Sequence, residues 1–230
     1  MGTFWRTHAR DRTLVRDVAA LAAASAVIGV SFGAIAGAAG LPAWAIVTMS
    51  LIVFAGGAQF MAVGMIAVGS PVAAVLGGLL LNARHLPFGL ALGDVIGRSW
   101  PARLVGSHVL VDETVAFALA QEDERAKRRA YWLAGGALFV AWNAGTFIGA
   151  AGGQLIGDPG TLGVDAAFPA GMLALLLPSL RERRALVGAV AGGAIALAAI
   201  PILPPGLPVL VALLGLAFAL PVPAKVEAAR

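Results

Sequence analysis

Hydrophobic residues run along this chain in long segments that are separated by short polar or glycine- and proline-rich breaks. Apolar segments of about 18 to 25 residues recur, which is the length that an α-helix needs to cross a bilayer. We therefore expect an all-α, polytopic membrane protein with about eight transmembrane segments. The predicted helices, each bounded by a breaker, cover 17–39, 43–68, 72–92, 104–120, 130–155, 163–180, 185–202 and 206–222.

The composition supports a membrane protein. Of the 230 residues, 60% are hydrophobic and only 12% are charged. A soluble protein of this length would not have enough polar residues to cover so much apolar surface. The chain has no cysteine, which excludes disulfides, thiol catalysis and zinc sites built on thiolates. No nucleophile motif is recognisable either, so we expect a protein that is not an enzyme and that uses no cofactor.

Lysine and arginine residues predict the orientation of the helices. They cluster in segment 1–16, between residues 125 and 129, between 181 and 184, and at Lys225. Because cytoplasmic loops carry the excess of Lys and Arg, we expect both termini in the cytoplasm and the protein in the inner (cell) membrane. The net charge of +4 then reflects topology and not a nucleic-acid partner. The expected organisation is a cytoplasmic N-terminus over 1–16, one transmembrane domain over 17–222 and a cytoplasmic tail over 223–230.

One stretch conflicts with eight simple crossings. Arg98 and Arg103 would lie on the outside if every predicted helix crossed the membrane once, against the rule that positive charge stays inside. The acidic pair that begins at Asp112 also interrupts the fourth apolar segment. The stretch 43–120 is therefore also compatible with one or two broken or re-entrant helices.

Two adjacent glycines, Gly56 and Gly57, lie in the middle of the second apolar segment, and Gln59 follows closely. Paired glycines weaken a helix, and a helix that breaks within the membrane exposes backbone amides that can bind an anion. Gln59 adds a polar side chain at the same depth. The alternative is a closely packed helix in which Gln59 is hydrogen-bonded to a neighbour.

The run from Val18 to Ala83 contains no charged side chain, and Asn82, Arg84 and His85 stand at its end. An arginine that faced lipid here would cost about 3 kcal/mol, so a binding role explains it best. Its planar guanidinium suits a carboxylate, while His85 can exchange a proton near neutral pH and Asn82 can orient either side chain. The alternative is an arginine that reaches the membrane surface and anchors the helix.

Asp112 and Glu113 supply acidic partners that can pair with Arg84, bind an ammonium group or take up protons. Adjacent helical residues point about 100° apart, so only one of the two acids can readily face a given cavity. A solvated surface helix is the alternative for this segment. Asn143 is a lesser candidate for binding, and so is Asp165, because either one can simply cap or cross-link helices.

Two helices carry a small residue at every fourth position, which predicts close packing against neighbouring helices. The parallel between them also hints at an internal duplication, of a kind common in transporters. The two stripes are Ser25, Gly29, Gly33 and Gly37 in the first helix, and Ala141, Gly145, Gly149 and Gly153 in the fifth.

Taken together, four separated motifs resemble the AzlC family, the large subunit of bacterial branched-chain amino-acid exporters. They occur in the order and spacing of the family, and the resemblance extends from about residue 15 to residue 222. The matching segments are Phe54 to Phe60; Asn82 to Leu86 with Phe88 and Gly89; Val111 to Glu113; and Gly163 to Asp165 with Phe168 to Ala170.

The resemblance implies export of branched-chain or similar small apolar amino acids, driven by an ion gradient, together with a small AzlD-type membrane partner. In that setting Gly56, Gly57 and Arg84 would hold the carboxylate of the substrate, and Asp112 or Glu113 its ammonium group. His85 or one of the acids would carry the coupling proton, if protons are the coupling ion. A passive channel, or a structural subunit of a transport complex, remains as the alternative function.

Overall fold

The computed structural model describes residues 2–153, 173, 177, 179–203 and 207–219, and the described residues form helices and no strands. Two short 3-10 segments accompany the α-helices, at Ser179–Arg181 and Ala212–Phe218. The α-helices are α1 (Gly2–Ala38), α2 (Ala43–Ile52), α3 (Gly56–Ala67), α4 (Pro71–Asn82), α5 (His85–Ile96), α6 (Trp100–His108), α7 (Asp112–Leu119), α8 (Glu124–Gly153), α9 (Arg183–Ala199) and α10 (Leu207–Val211).

The two longest helices, α1 and α8, pack against each other in parallel. A Cβ atom at Gly29 would lie 2.5 Å from the Trp142 carbonyl oxygen, and one at Gly33 would meet the backbone of Thr146. Reciprocally, a Cβ atom at Gly145 would meet the backbone of Ala26. Contacts that advance by four residues on both helices require the same direction, and the prediction of close packing along the two stripes is confirmed.

The next two helices form a hairpin that enters from the C-terminal end of α1. The α2 helix descends until the Ser50 hydroxyl donates to Asn143 Oδ1 at 2.7 Å and lies 3.3 Å from the Thr146 hydroxyl. The Phe60 ring of α3 then lies 5.4 Å from the Phe32 ring of α1, at the same height as Ser50. A continuing helix would carry Phe60 about 15 Å farther down, so α3 turns back at residues 53–55.

The α4 and α5 helices together run the full height of the protein. α4 is antiparallel to α3, since a Cβ atom at Gly57 would meet Leu81 and one at Gly77 would meet Met61. A bend of 46° at Ala83 and Arg84 separates α4 from α5. α5 then continues to the beginning of α8, where the Arg128 guanidinium donates to the Asp94 carbonyl oxygen at 2.8 Å.

A second hairpin, α6 and α7, enters from the opposite end of the protein. α6 ascends beside α8, because the Tyr131 hydroxyl donates to the Gly106 carbonyl at 2.7 Å and Val109 meets Gly135. The chain turns at residues 109–111, and Ala118 of α7 packs back into the cluster that contains Tyr131. α7 thus ends near the first turn of α8.

The tips of the two hairpins meet near the middle of the protein. His108 Nε2 lies 2.8 Å from the Leu51 carbonyl oxygen, a group at the end of α2 that has no partner within its own helix. At the second tip, the Thr114 hydroxyl accepts from the Val111 amide at 3.0 Å and donates to the Val111 carbonyl at 2.7 Å. These bonds satisfy backbone groups that the helix breaks leave open.

The described residues contain fewer candidate membrane spans than the hydropathy pattern predicts for the chain. Among the described residues, two helices are long and apolar enough to span a membrane, Arg12–Ala38 and Glu124–Gly152, and the bent α4–α5 pair makes a third. The expectation of single crossings over 43–68 and 104–120 is wrong, because each segment turns back at its break. The alternative of re-entrant helices is the one that the contacts support, while the count of eight is not confirmed.

The C-terminal part is described only in pieces. α9 overlaps the predicted helix 185–202 and packs in antiparallel fashion on the following segment, where a Cβ atom at Gly192 would lie 2.7 Å from the Ala212 carbonyl oxygen. Most of the predicted helix 163–180, with Asp165, lies outside the described residues, as does the tail 223–230.

Candidate functional site

Three helices begin at one place, where the hairpin tips and the bend meet. α3 begins at Gly56, α5 at His85 and α7 at Asp112, and these three residues line a single cavity. The first amides of a helix have no intrahelical acceptor, and each helix start carries a partial positive charge of about half a unit. The starts of α3 and α7 therefore favour an anion in this space, and Arg84, at the bend where α5 begins, adds a full positive charge.

This central cavity has a volume of about 380 Å³, within the range of small-molecule sites. It lies at mid-height of α1 and α8, which contribute four side chains to its wall. The remaining lining comes from the two hairpin tips and from the bend. The lining residues are Ser25, Ile28, Phe54, Ala55, Gly56, Gly57, Leu81, Arg84, His85, Val111, Asp112, Glu113, Leu138 and Trp142.

The charged side chains of the cavity lie on one wall. The Arg84 guanidinium lies 3.2 Å from an Asp112 carboxylate oxygen, and the two side chains are 40% and 48% exposed. Glu113 lines the same cavity and forms no ion pair among the described residues. One arginine, paired with Asp112, and a second carboxylate at Glu113 therefore line a space large enough for a small molecule.

Two polar side-chain atoms of the cavity wall are buried without a partner in the described part of the chain. They are the Trp142 indole Nε1 and the His85 imidazole Nε2. Leaving a buried polar atom unpaired costs about 1–3 kcal/mol, so such atoms are usually explained by a ligand or by water. The Trp142 ring itself is held in place by stacking on Phe32, at 6.0 Å between centroids.

A second cavity, of about 610 Å³, lies between α2, α3, α4 and α6. It shares Phe54, Ala55 and His85 with the central cavity, so these residues form the partition between the two spaces. Most of its wall is apolar, and its polar side chains gather at one end. Those side chains are Gln59, Asn82, His85, Ser107 and His108.

The structure brings most of the predicted site residues together. Six of them, Gly56, Gly57, Arg84, His85, Asp112 and Glu113, line the central cavity. Gln59 and Asn82 line the second cavity instead. Asn143 lines neither, because its amide accepts from Ser50 and donates to the Phe139 carbonyl at 2.8 Å.

Sequence reasoning missed the walls that α1 and α8 supply. Trp142 has no sequence signal of its own, and Ser25 stands out in the sequence only as one member of a stripe of small residues. Leu138 has no local signal at all, since it is one leucine among many. The parallel packing of α1 on α8 brings these residues to the cavity, and that packing is visible only in three dimensions.

The protein-family model described as "AzlC protein" matches residues 20–156, which is more than half of the chain. The chain belongs to the AzlC family. No curated protein and no solved structure matches it. The range matched by this family model begins in α1 and ends just beyond α8, so it contains both hairpins, the bend and every residue of the central cavity. Membership in this family, with the apolar helices, identifies a membrane-transport component.

Proposed function

We propose that this AzlC-family protein exports branched-chain amino acids, or similar small apolar amino acids, and that the central cavity is the substrate site. The observation that carries the proposal is the convergence of three helix starts and Arg84 on one space that also holds Asp112 and Glu113. An amino acid at neutral pH carries one carboxylate and one ammonium group. The cavity offers a partner for each.

In the proposed mechanism, the substrate replaces the internal ion pair. The carboxylate of the amino acid takes the place of Asp112 on the Arg84 guanidinium and receives further hydrogen bonds from the amides at the start of α3. Asp112 is then free to bind the ammonium group, with Glu113 beside it. Net charge in the cavity is unchanged by this exchange, which keeps the electrostatic cost of binding low in a membrane interior.

The aliphatic side chain of the substrate has an apolar surface to contact. Ile28, Leu81, Leu138 and Trp142 line the same cavity as the charged groups. Burial of a branched aliphatic group against such a wall contributes about 1.5–3 kcal/mol, while a charged side chain would lose its hydration there. This difference supports selectivity for branched-chain substrates over charged amino acids.

We assign opening of the central cavity to the two hairpins. Their tips close the cavity from opposite directions and are joined by the His108–Leu51 contact. Broken helices that meet at mid-membrane are the usual parts of an alternating-access transporter. Energy would come from an ion gradient, with His85 or an acid of the cavity as the carrier if the ion is a proton. A small AzlD-type subunit is the proposed partner, and the positive-inside rule supports cytoplasmic termini in the inner membrane.

Counterflow in liposomes tests this function. Protein is reconstituted alone and with the small subunit, loaded with unlabelled leucine, and exposed to labelled leucine, valine, isoleucine or methionine with and without a pH gradient. Saturable, competing uptake of the branched-chain amino acids supports export. Uptake that never saturates would instead indicate a passive channel, and absence of uptake under all conditions would refute transport by this chain.

A further inference from the structure

The second cavity is built from the opposite ends of the broken helices. Its wall includes Ile52 at the C-terminal end of α2, Asn82 at the end of α4 and His108 at the end of α6. C-terminal helix ends carry carbonyl oxygens without intrahelical partners and a partial negative charge. At two of the breaks, α3 and α7 begin at the central cavity, whereas α2 and α6 end at the second one; at the α4–α5 bend, Leu81 lines the central cavity and His85 lines both. The first arrangement suits an anion and the second suits a cation.

Side-chain oxygen atoms without a hydrogen-bond partner lie at the polar end of this second cavity. Gln59 is 0% exposed, yet both its Oε1 and its Nε2 lack a hydrogen-bond partner among the described residues. The Asn82 Oδ1 atom is also buried without a partner. Unpaired polar groups are costly in a membrane interior, so the unpaired atoms of these two amides indicate a bound ion or water at this end of the cavity.

We propose that the polar end of the second cavity binds an alkali-metal cation, Na⁺ or K⁺, which couples to transport. Amide oxygens and the carbonyls of interrupted helices are the ligands with which transporters hold such ions. The described residues contain no group of three or more His, Cys, Asp or Glu that could hold a metal ion, so the oxygens here are neutral. Neutral oxygen ligands suit a monovalent cation and not a transition metal.

The two cavities are connected through a few residues. His85 lines both, and its chain neighbour Arg84 holds Asp112. In α3, Gly56 lines the central cavity and Gln59, one turn later, lines the second. A cation bound at the amides would therefore act directly on the first turn of α3, whose amides receive the carboxylate. The coupling role rests on the proposed function, whereas binding of the cation does not.

Thermal unfolding of the purified protein in detergent tests the cation site without any substrate. NaCl, KCl and choline chloride are compared at constant ionic strength. We expect Na⁺ or K⁺ to raise the Tm by about 2–4 °C or more in a saturating manner, while choline does not. A response equal to that in choline overturns the proposal. A Tm that follows pH but not the alkali cation would overturn it in favour of a proton site.

Gln59→Leu removes the amide at nearly constant volume and should abolish the cation-dependent shift. Because it also removes unpaired polar atoms, its Tm in choline should equal or exceed that of the wild type. Gln121→Leu is the matched control, since Gln121 lines neither cavity, and it should keep the shift. A shift retained in Gln59→Leu contradicts the site. If that variant fails to fold, Asn82→Leu is subjected to the same comparison.

Leucine binding separates this proposal from the proposed function. In choline, Gln59→Leu should bind leucine within about 3-fold of the wild type, because the central cavity is intact, while its cation response is lost. A wild-type protein that responds to Na⁺ or K⁺ but never binds leucine would refute the amino-acid site and leave the cation site standing. The reverse result would refute the cation site alone.

Discussion

The Arg84 guanidinium lies 3.2 Å from the Asp112 carboxylate and joins two different kinds of helix break. Arg84 stands at the bend of the α4–α5 pair, and Asp112 is the first residue of α7, at the tip of a hairpin. Neither side chain is fully buried and both line the central cavity, so a molecule in that space can reach both groups. A partner that can be exchanged at low cost is what a zwitterionic substrate needs.

Removal of the arginine tests its role in binding the carboxylate. We expect Arg84→Ala to lower leucine counterflow by about 100-fold, because the substrate carboxylate loses a charged partner in a low-dielectric site. Asp112→Asn should lower leucine counterflow less, by about 10-fold, since Glu113 remains in the cavity. Counterflow rates are normalised to the amount of protein inserted.

Arg98→Ala is the matched control for that experiment. Arg98 forms an exposed ion pair with Asp94 at 3.6 Å and lines no described cavity, so counterflow should stay at the wild-type rate. Equal losses in the Arg84 and Arg98 variants would show a general effect of charge and not recognition of the substrate.

Gly56→Ala probes the tip of the first hairpin. The added methyl group would lie 2.8 Å from the Trp142 ring, which is nearly buried, so the ring must shift. We expect leucine affinity to fall by about 10-fold, or 1.4 kcal/mol, with a change in tryptophan fluorescence. Gly89→Ala serves as the control, because its methyl group would make an ordinary contact with Leu110 at 3.7 Å. An unchanged affinity in Gly56→Ala would show that the Trp142 wall does not contact the substrate.

Single cysteines distinguish hairpins from simple crossings, and the chain has no native cysteine to interfere. With the N-terminus in the cytoplasm, the hairpin arrangement places Val68, in the α3–α4 turn, outside and Arg98 inside. With eight simple crossings, Val68 would instead lie inside and Arg98 outside. We expect an impermeant maleimide on intact cells to label Val68→Cys and not Arg98→Cys. The reversed labelling pattern would contradict the re-entrant first hairpin.

The contact between α1 and α8 should be intolerant of larger residues. In Gly145→Val the new side chain would meet the Ala26 backbone, so we expect a loss of about 1–3 kcal/mol in unfolding free energy. At Gly136, on the same helix, an added Cβ atom would meet nothing within 4 Å, and Gly136→Val carries the same change in helix propensity. Thermal melts in detergent compare the two variants. Equal Tm values would show that close packing of α8 on α1 is not required for stability.

The residues of the site were largely predictable from the sequence. Arg84, His85 and the acidic pair at Asp112 are costly in apolar sequence, and a double glycine in an apolar helix weakens it. Each of these signals is local, so one chain suffices to find it. All of them lie on the wall of the central cavity.

The path of the chain was not predictable in the same way. A segment such as 43–68 has the same hydropathy whether it crosses the membrane or turns back at its middle, because both forms are surrounded by lipid and protein. The sequence signs of the true path were the position of Arg98 and Arg103, the acidic pair at Asp112 and the paired glycines at Gly56. The contacts place the end of α5 next to Arg128, at the basic end of the protein, which resolves that conflict.

Asn143 shows a further limit. A polar residue in an apolar helix signals that a hydrogen bond exists but not with what, and here the partners are Ser50 and the Phe139 carbonyl. Gln59 and Asn82 carry the same signal, yet their amides have atoms without a partner beside the second cavity. Only the fold separates a helix cross-link from a binding group.

Equilibrium binding of labelled leucine to the purified protein, competed with leucine analogues, shows whether the central cavity recognises both charged groups of an amino acid. We expect saturable binding for which valine and isoleucine compete. Competition should be at least about 100-fold weaker for leucinamide, which lacks the carboxylate, and for 4-methylpentanoate, which lacks the ammonium group. The preference for leucine over leucinamide should disappear in Arg84→Ala. Equal competition by leucine and both analogues, or an undiminished preference in Arg84→Ala, would contradict a zwitterion site at the meeting point of the three helix starts.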